Sequence, residues 1–182
     1  MLIIEVPKSE LWDESTEAFI SVEKQTLKLE HSLVSIHKWE SKYHKPFMTK
    51  NEKTKEEEID YVRFMTLDKN IDPNVFLALT NDNRKEINKY IEDPMTATTF
   101  SKRESDKSKI DGEQVTAELI YYWMFTLGIP YECRKWHLNQ LITLIKVCSI
   151  KNQPPKKMGR NEIMSRNRSL NAARRARLNS KG

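Results

Sequence analysis

Cys133 and His137 lie four residues apart, which on a helix places a thiol and an imidazole on one face, within reach of a shared metal ion. A structural zinc site needs four ligands, and no second Cys or His pair follows at zinc-finger spacing, so both read as core or interface positions. His37 and His44 are seven apart with Glu40 between them on one helical face, the geometry of a base and its orienting carboxylate. Nothing else in the chain supports that arrangement, and a solvated histidine face is the simpler reading. Glu56, Glu57 and Glu58 are the remaining cluster able to meet a cation, but the alternating oxygen ligands and central glycine of a calcium loop are absent, and the run reads as the first turn of a helix. With 4 glycines in the whole chain there is no phosphate-cradling loop, dinucleotide fingerprint or nucleophile elbow. Trp12, Trp39, Trp123 and Trp136 read as core or interface anchors rather than a base-stacking platform. The expectation is a protein with no catalytic residue, no metal and no cofactor.

The elements that carry these residues belong to a chain of 182 residues, enough for one core domain with an appended tail. Hydrophobic residues make up 38% and charged residues 31%, which supports a packed interior under a heavily solvated surface. The longest apolar or aromatic run, Leu119 to Phe125, is far short of the roughly 20 residues of a membrane span. Met1 to Val6 lacks the basic flank of a secretory signal, so the expected compartment is cytoplasm. Cys133 and Cys148, fifteen residues apart in a helical segment, are too far apart for a bridge within one helix and are expected as reduced thiols.

The net charge of +5 is unevenly placed. Residues 1–150 carry 21 Lys and Arg against 25 Asp and Glu, whereas residues 151–182 carry 10 cations against Glu162 alone. Asn152-Gln-Pro-Pro155 opens that basic tail, because proline lacks a donor and disfavours helix in the residue before it.

Periodicity assigns an α+β class, mainly α. Residues 1–31 form a small antiparallel β unit, carried by Leu2 to Val6, Phe19 to Val22 and Thr26 to Leu29. Residues 32–150 form the helical core, and residues 151–182 a basic tail that is mobile or ordered by a partner. Within the core, Ser32 caps a helix from Leu33 to about Tyr43 that Lys45-Pro46 ends. Thr54 and Glu57 make a capping box, Asp72-Pro73 opens a short helix and Asp82 the next. Ser101 to Gly112 reads as a mobile surface loop. Val115 to Leu127 is apolar almost all round, predicting a helix buried on more than one side, with Gly128 as its left-handed stop. Leu138, Leu141, Ile142, Ile145 and Cys148 mark one face of a second helix, and the two form a C-terminal helical hairpin.

Leu29-Glu-His-Ser-Leu-Val-Ser-Ile-His-Lys-Trp-Glu-Ser-Lys-Tyr43, Thr116-Ala-Glu-Leu-Ile-Tyr-Tyr-Trp-Met124, Trp136-His-Leu-Asn-Gln-Leu-Ile-Thr-Leu-Ile145 and the closing Ser169-Leu-Asn-Ala-Ala-Arg-Arg-Ala-Arg177 are similar to tail assembly chaperones of long-tailed, siphovirus-like bacteriophages. The resemblance implies a non-enzymatic factor that binds the tape measure protein, helps recruit tail tube protein, acts in the host bacterial cytoplasm and is absent from the mature virion. Self-association is compatible with it, and no membrane contact is expected. The partner contacts expected on physical grounds are Trp39 and Tyr43 on the first helix, Trp136 on the last, and Arg174, Arg175 and Arg177 in the tail. The alternative reading is a nucleic-acid-binding or structural virion protein using residues 156–181 as a cationic arm, with weak and non-specific nucleic-acid binding.

Such chaperones are often made in two forms by ribosomal frameshifting near the end of the shorter one. Ser180-Lys181-Gly182 can be encoded by a string of the form A-AAG-GGN, on which both transfer RNAs re-pair after slipping back one base. The expected outcome is a slippery heptamer within a few codons of the stop and a second, larger product sharing this N-terminus. A non-slippery gene end with a single product removes the frameshift expectation.

Overall fold

The computed structural model describes residues 1–13, 17–49, 52–100, 114–152 and 159–179. The loop expected over Ser101 to Gly112, residues 153–158 of the tail junction and Ser180-Lys181-Gly182 lie outside them. Four strands come first: β1 Leu2–Val6, β2 Ser9–Asp13, β3 Ala18–Val22 and β4 Gln25–Leu29. β1 pairs with β4 and β2 with β3, both antiparallel, and the two ladders share one register, Val6 facing Gln25 and Ser9 facing Val22. They are two halves of one ribbon. The break falls at Pro7, which has no N–H to give to a ladder. The inner half alternates as a half-buried strand must, with Ile4, Val6, Leu27 and Leu29 in the core and Ile3 outside. β2 escapes sequence reading because Leu11 and Trp12 are adjacent, which hides the period of two.

Seven α-helices follow among the described residues, so the fold is α+β and mainly α: α1 Leu33–Tyr43, α2 Lys55–Met65, α3 Pro73–Leu77, α4 Asn81–Glu92, α5 Ala117–Thr126, α6 Leu138–Asn152 and α7 Arg160–Leu178. A 3-10 turn, Tyr131–Lys135, separates α5 from α6. By internal contacts the chain divides into two units, Met1–Ser149 and Ile150–Gly182.

Local chemistry sets most helix ends. Thr54 Oγ1 accepts from the Glu57 N–H at 3.2 Å while Glu57 Oε2 accepts from the Thr54 N–H at 3.0 Å, the expected box. Asp72 accepts from the Asn74 N–H at 2.9 Å ahead of Pro73. Ser35 Oγ ties down the start of α1, accepting from the Ser32 N–H at 3.0 Å and donating to the Ser32 carbonyl at 2.8 Å. Gly128 stops α5 at φ 66°. α1 ends at Tyr43 as read, closed ahead of Lys45-Pro46 by His44 at φ 51°, whose N–H reaches the Glu40 carbonyl at 2.8 Å. One end differs from the sequence reading. α4 starts from Thr80 rather than Asp82, because Thr80 and Asn83 exchange side-chain to backbone bonds of 3.1 and 3.2 Å.

The core lies where α1 presents Leu33, Ile36 and Trp39 to α2 and α5, which answer with Tyr61 and Met65 and with Ala117, Ile120 and Met124. α5 is buried on that one side only, not on several as its composition predicts: Tyr122 and Phe125 face outward. The chain after α2 runs along β4, with bonds from Glu30 N–H to the Met65 carbonyl at 2.8 Å and from Leu67 N–H to the Lys28 carbonyl at 2.9 Å. α4 packs against β1, where Asn83 Nδ2 donates to the Glu5 carbonyl at 3.0 Å.

One carboxylate joins these layers. Glu40, buried on α1, accepts from the Phe47 N–H at 2.8 Å and from the Ala117 N–H, the first residue of α5, at 2.7 Å. A negative group there also meets the positive end of the α5 dipole. Glu40→Ala leaves two inward-facing N–H groups without acceptors and is expected to cost about 3 kcal/mol in urea unfolding. A change below about 0.5 kcal/mol would show that α5 is positioned by packing alone.

Candidate functional site

Most of the groups singled out in the sequence have a structural occupation. Cys133 sits in the 3-10 turn and His137 just ahead of α6, so they do not share a helix face as their spacing predicts. Both cysteines are free thiols. The arrangement expected of His37, Glu40 and His44 dissolves as well. Glu40 is taken by backbone N–H groups, His37 stands edge-on to Tyr121 at 5.8 Å, and His44 is the exposed cap of α1. Glu57 spends its carboxylate on the capping box and on Lys45 at 2.7 Å, whose hydrogen bond holds the Glu57 carboxyl below its usual range. Burial pushes the Asp60 carboxyl up, but hydrogen bonds from Lys42 and Tyr43 overcome it and leave the group low. Among the described residues no three of His, Cys, Asp and Glu converge to hold a metal ion. No helix among them is long and apolar enough to cross a membrane.

The buried polar cluster at the heart of the body is a pair of histidines. His31 and His137 rings lie 4.9 Å apart, with Tyr61 on the far side of His31 and the Tyr90 ring 4.9 Å from His137. His137 Nδ1 accepts from the Asn139 N–H at 3.3 Å, so its proton is on Nε2, which donates to the Tyr90 carbonyl at 2.9 Å. His31 Nδ1 is hydrogen bonded to the Tyr61 hydroxyl. Burial drives the His31 pKa down to about 3, with the neighbouring His137 adding to the shift, and burial lowers His137 too. Burial raises the Tyr61 phenol. At neutral pH every member is uncharged, which makes the cluster a latch between β4, α2, α4 and α6 rather than a proton shuttle.

A cleft of about 370 Å³ opens between α2 and α4, lined by Phe47, Lys53, Ile59, Tyr61, Arg84 and Ile87 among others. Lys53 in its lining donates to the Phe47 carbonyl at 3.0 Å and stands 4.3 Å from the Phe47 ring centre. Burial lowers its pKa. Lys53 thus closes the end of the Phe47 turn.

One exposed patch is aromatic. Phe125 is 67% exposed, Tyr122 61%, Tyr131 47% and Trp136 41%. The Phe125 and Tyr131 rings are stacked with centres 6.2 Å apart, Tyr121 lies 6.1 Å from Tyr131, and the Arg134 guanidinium covers the Tyr131 ring at 3.9 Å. Gly128 and Pro130 turn the chain so that Tyr131 returns against the outer face of α5. Of the expected partner contacts, Trp136 is exposed but stands at the close of the 3-10 turn, not on α6. Trp39 is 2% exposed, with Nε1 donating to the Glu57 carbonyl at 2.9 Å, so it is a core residue and not an exposed anchor. Tyr43 packs on Trp39 at 5.0 Å and donates to Asp60 Oδ2 at 2.7 Å. Phe125 and Tyr131 are the exposed rings that sequence reasoning passes over. Their signal is the uncharged run from Leu119, which has more apolar residues than one buried face can use. A second exposed pair, Trp12 and Phe19, meets edge to face at 4.9 Å on the outer half of the ribbon.

On α7 every side chain described is exposed, including Arg174, Arg175 and Arg177. No protein-family model, curated protein or solved structure matches the chain.

The latch carries a pH dependence. His31 and His137 have folded-state pKa values below the ordinary value of 6.5, so the unfolded chain takes up protons that the folded chain refuses. Their stabilisation is complete above that value and is lost as pH falls from there towards about 3 for His31. Urea midpoints should be flat from about pH 8 to 7 and then drop between about pH 6.5 and 5, by up to about 1.4 kcal/mol per pH unit for each histidine. His31→Gln should roughly halve that slope, and a wild-type midpoint unchanged down to about pH 5 would contradict the buried neutral pair.

Proposed function

We propose that this protein is a non-enzymatic tail assembly chaperone of a long-tailed bacteriophage. It binds the tape measure protein, keeps that long helical chain soluble and assists addition of tail tube subunits in the host cytoplasm, leaving before the virion is complete. The sequence resemblance set out above suggests the class, and the exposed aromatic face of α5 and the 3-10 turn is the observation that carries it here. Phe125, Tyr131 and Tyr122 offer large, rigid surface with little rotamer entropy to lose, and Arg134 over Tyr131 keeps one edge of the face polar. Such a face suits the apolar stripe of an amphipathic helix, which presents anchors three and four residues apart. The groups with titration chemistry are committed to caps and to the latch, which fits a role in binding rather than turnover.

Co-expression with the tape measure protein of the same phage tests this. The parent chain should raise the partner's soluble yield, and a Phe125→Ser, Tyr131→Ser double variant should keep the parent's unfolding midpoint within about 0.5 kcal/mol yet bind at least about tenfold more weakly. A folded double variant that rescues as well as the parent sinks the aromatic face, and recovery of the chain from purified virions sinks the chaperone reading.

A further inference from the structure

The cleft between α2 and α4 is walled by apolar side chains, Phe47, Ile59, Val62, Leu79, Ile87 and Ile91. On α4 its lining is Arg84, Ile87, Asn88 and Ile91, at i, i+3, i+4 and i+7, so one face of that helix offers two isoleucines with a guanidinium at their N-terminal end. Three charged side chains line the cleft: Lys53, Glu58 and Arg84. The Lys53 ammonium is committed to the Phe47 carbonyl and ring, and the Glu58 carboxylate acts on it with opposite sign. Those two charges offset each other. Arg84 is half-buried, and among the described residues its guanidinium has no hydrogen-bond or ion-pair partner. An apolar cleft is thus left with one unanswered positive charge.

We propose that this cleft binds a small amphipathic monoanion, a carboxylate on an apolar chain of about ten carbons, with the carboxylate on Arg84 and the chain along Ile87 and Ile91. The sign follows from Arg84, whose fork of N–H donors meets a carboxylate in two parallel bonds. A cation would meet the same guanidinium as a like charge. The size follows from the cleft. Its volume of about 370 Å³ is filled by about twelve groups of roughly 30 Å³ each, the number of non-hydrogen atoms in decanoate. It also lies within the range of about 300 to 1,000 Å³ in which proteins hold small molecules. Apolar walls supply the attraction for the chain, and the single charge sets which end points to Arg84. This inference is independent of the chaperone reading, since it uses no residue of the aromatic face.

The test titrates the full chain with decanoate by calorimetry at about pH 7.5, where the carboxylate is ionised. The expected dissociation constant is about 1 mM or tighter, the range for a ligand of about twelve non-hydrogen atoms. Decanol and decylammonium, of the same length without the negative charge, should each bind at least about tenfold more weakly. Arg84→Gln removes the anchor, and Asn88→Trp fills the cleft from an exposed position. Each should keep the parent's urea midpoint and weaken decanoate at least about tenfold. In a chain labelled at its isoleucine methyls, the signals of Ile59, Ile87 and Ile91 should move on titration while those of Ile120 in the core and Ile163 on α7 stay in place. Absence of binding at about 1 mM overturns the proposal. So does binding of decanol or decylammonium as tight as that of decanoate, or a folded Arg84→Gln chain with the parent's affinity. Methyl shifts at Ile163 without any at Ile87 would put the ligand on the tail arginines, and affinity lost in the Phe125→Ser, Tyr131→Ser double variant would put it on the aromatic face; either result overturns the proposal as well.

Discussion

The Glu40 carboxylate ties together parts of the body that lie far apart in the sequence. It sits on α1, yet its two oxygens terminate the turn at Phe47 and the first residue of α5, 77 positions away. Apolar burial is non-directional and sets which faces meet, not the rotation or depth at which they do so. Two charge-assisted bonds at 2.7 and 2.8 Å from one buried carboxylate supply that direction. The packing of Ala117, Ile120 and Met124 on α1 follows, and so does the outward placement of Tyr122 and Phe125. The aromatic face depends on a residue that does not belong to it.

The histidine latch adds a second polar constraint. His31 closes β4 and His137 opens α6, and their backbones are also joined, by the Leu138 N–H to the His31 carbonyl at 2.9 Å. Ring contact and backbone bond hold the first and last parts of the body together. Neutral imidazole suits such a place because it gives one donor and one acceptor without the desolvation cost of a charge.

Much of this was legible in the sequence wherever the deciding chemistry is local. Ser32, the Thr54 and Glu57 box, Asp72-Pro73 and Gly128 act on neighbours within a turn, so their spacing announced helix ends before any tertiary contact was known. The β ribbon and the mainly helical class followed from periodicity. Thr80 carries a weaker signal, because Asn83 replaces the usual Glu or Gln of a capping box. Trp39 is not placed by its neighbours, because a tryptophan among charged residues reads the same whether it faces solvent or a neighbouring helix. The Glu57 carbonyl that receives its N–H belongs to another helix, 18 residues on. The candidate surface was legible only in part: Trp136 could be singled out by type, while Phe125 and Tyr131 needed the one-sided burial of α5, which Glu40 and α1 decide.

Pro7 divides a single hairpin into an inner ladder bound to the core and an outer ladder whose strands, among the described residues, pair only with each other. A two-stranded ribbon has little stability of its own in water. Val22 and, in part, Leu11 hold the base of the outer half to the core, so only its tip is expected to open at a free energy below that of global unfolding while Ile4, Val6, Leu27 and Leu29 stay packed. Trp12 and Phe19, exposed already in the closed ribbon, ride on that tip, so what a local opening changes is the edge-to-face pairing of their rings and not the stability of the fold.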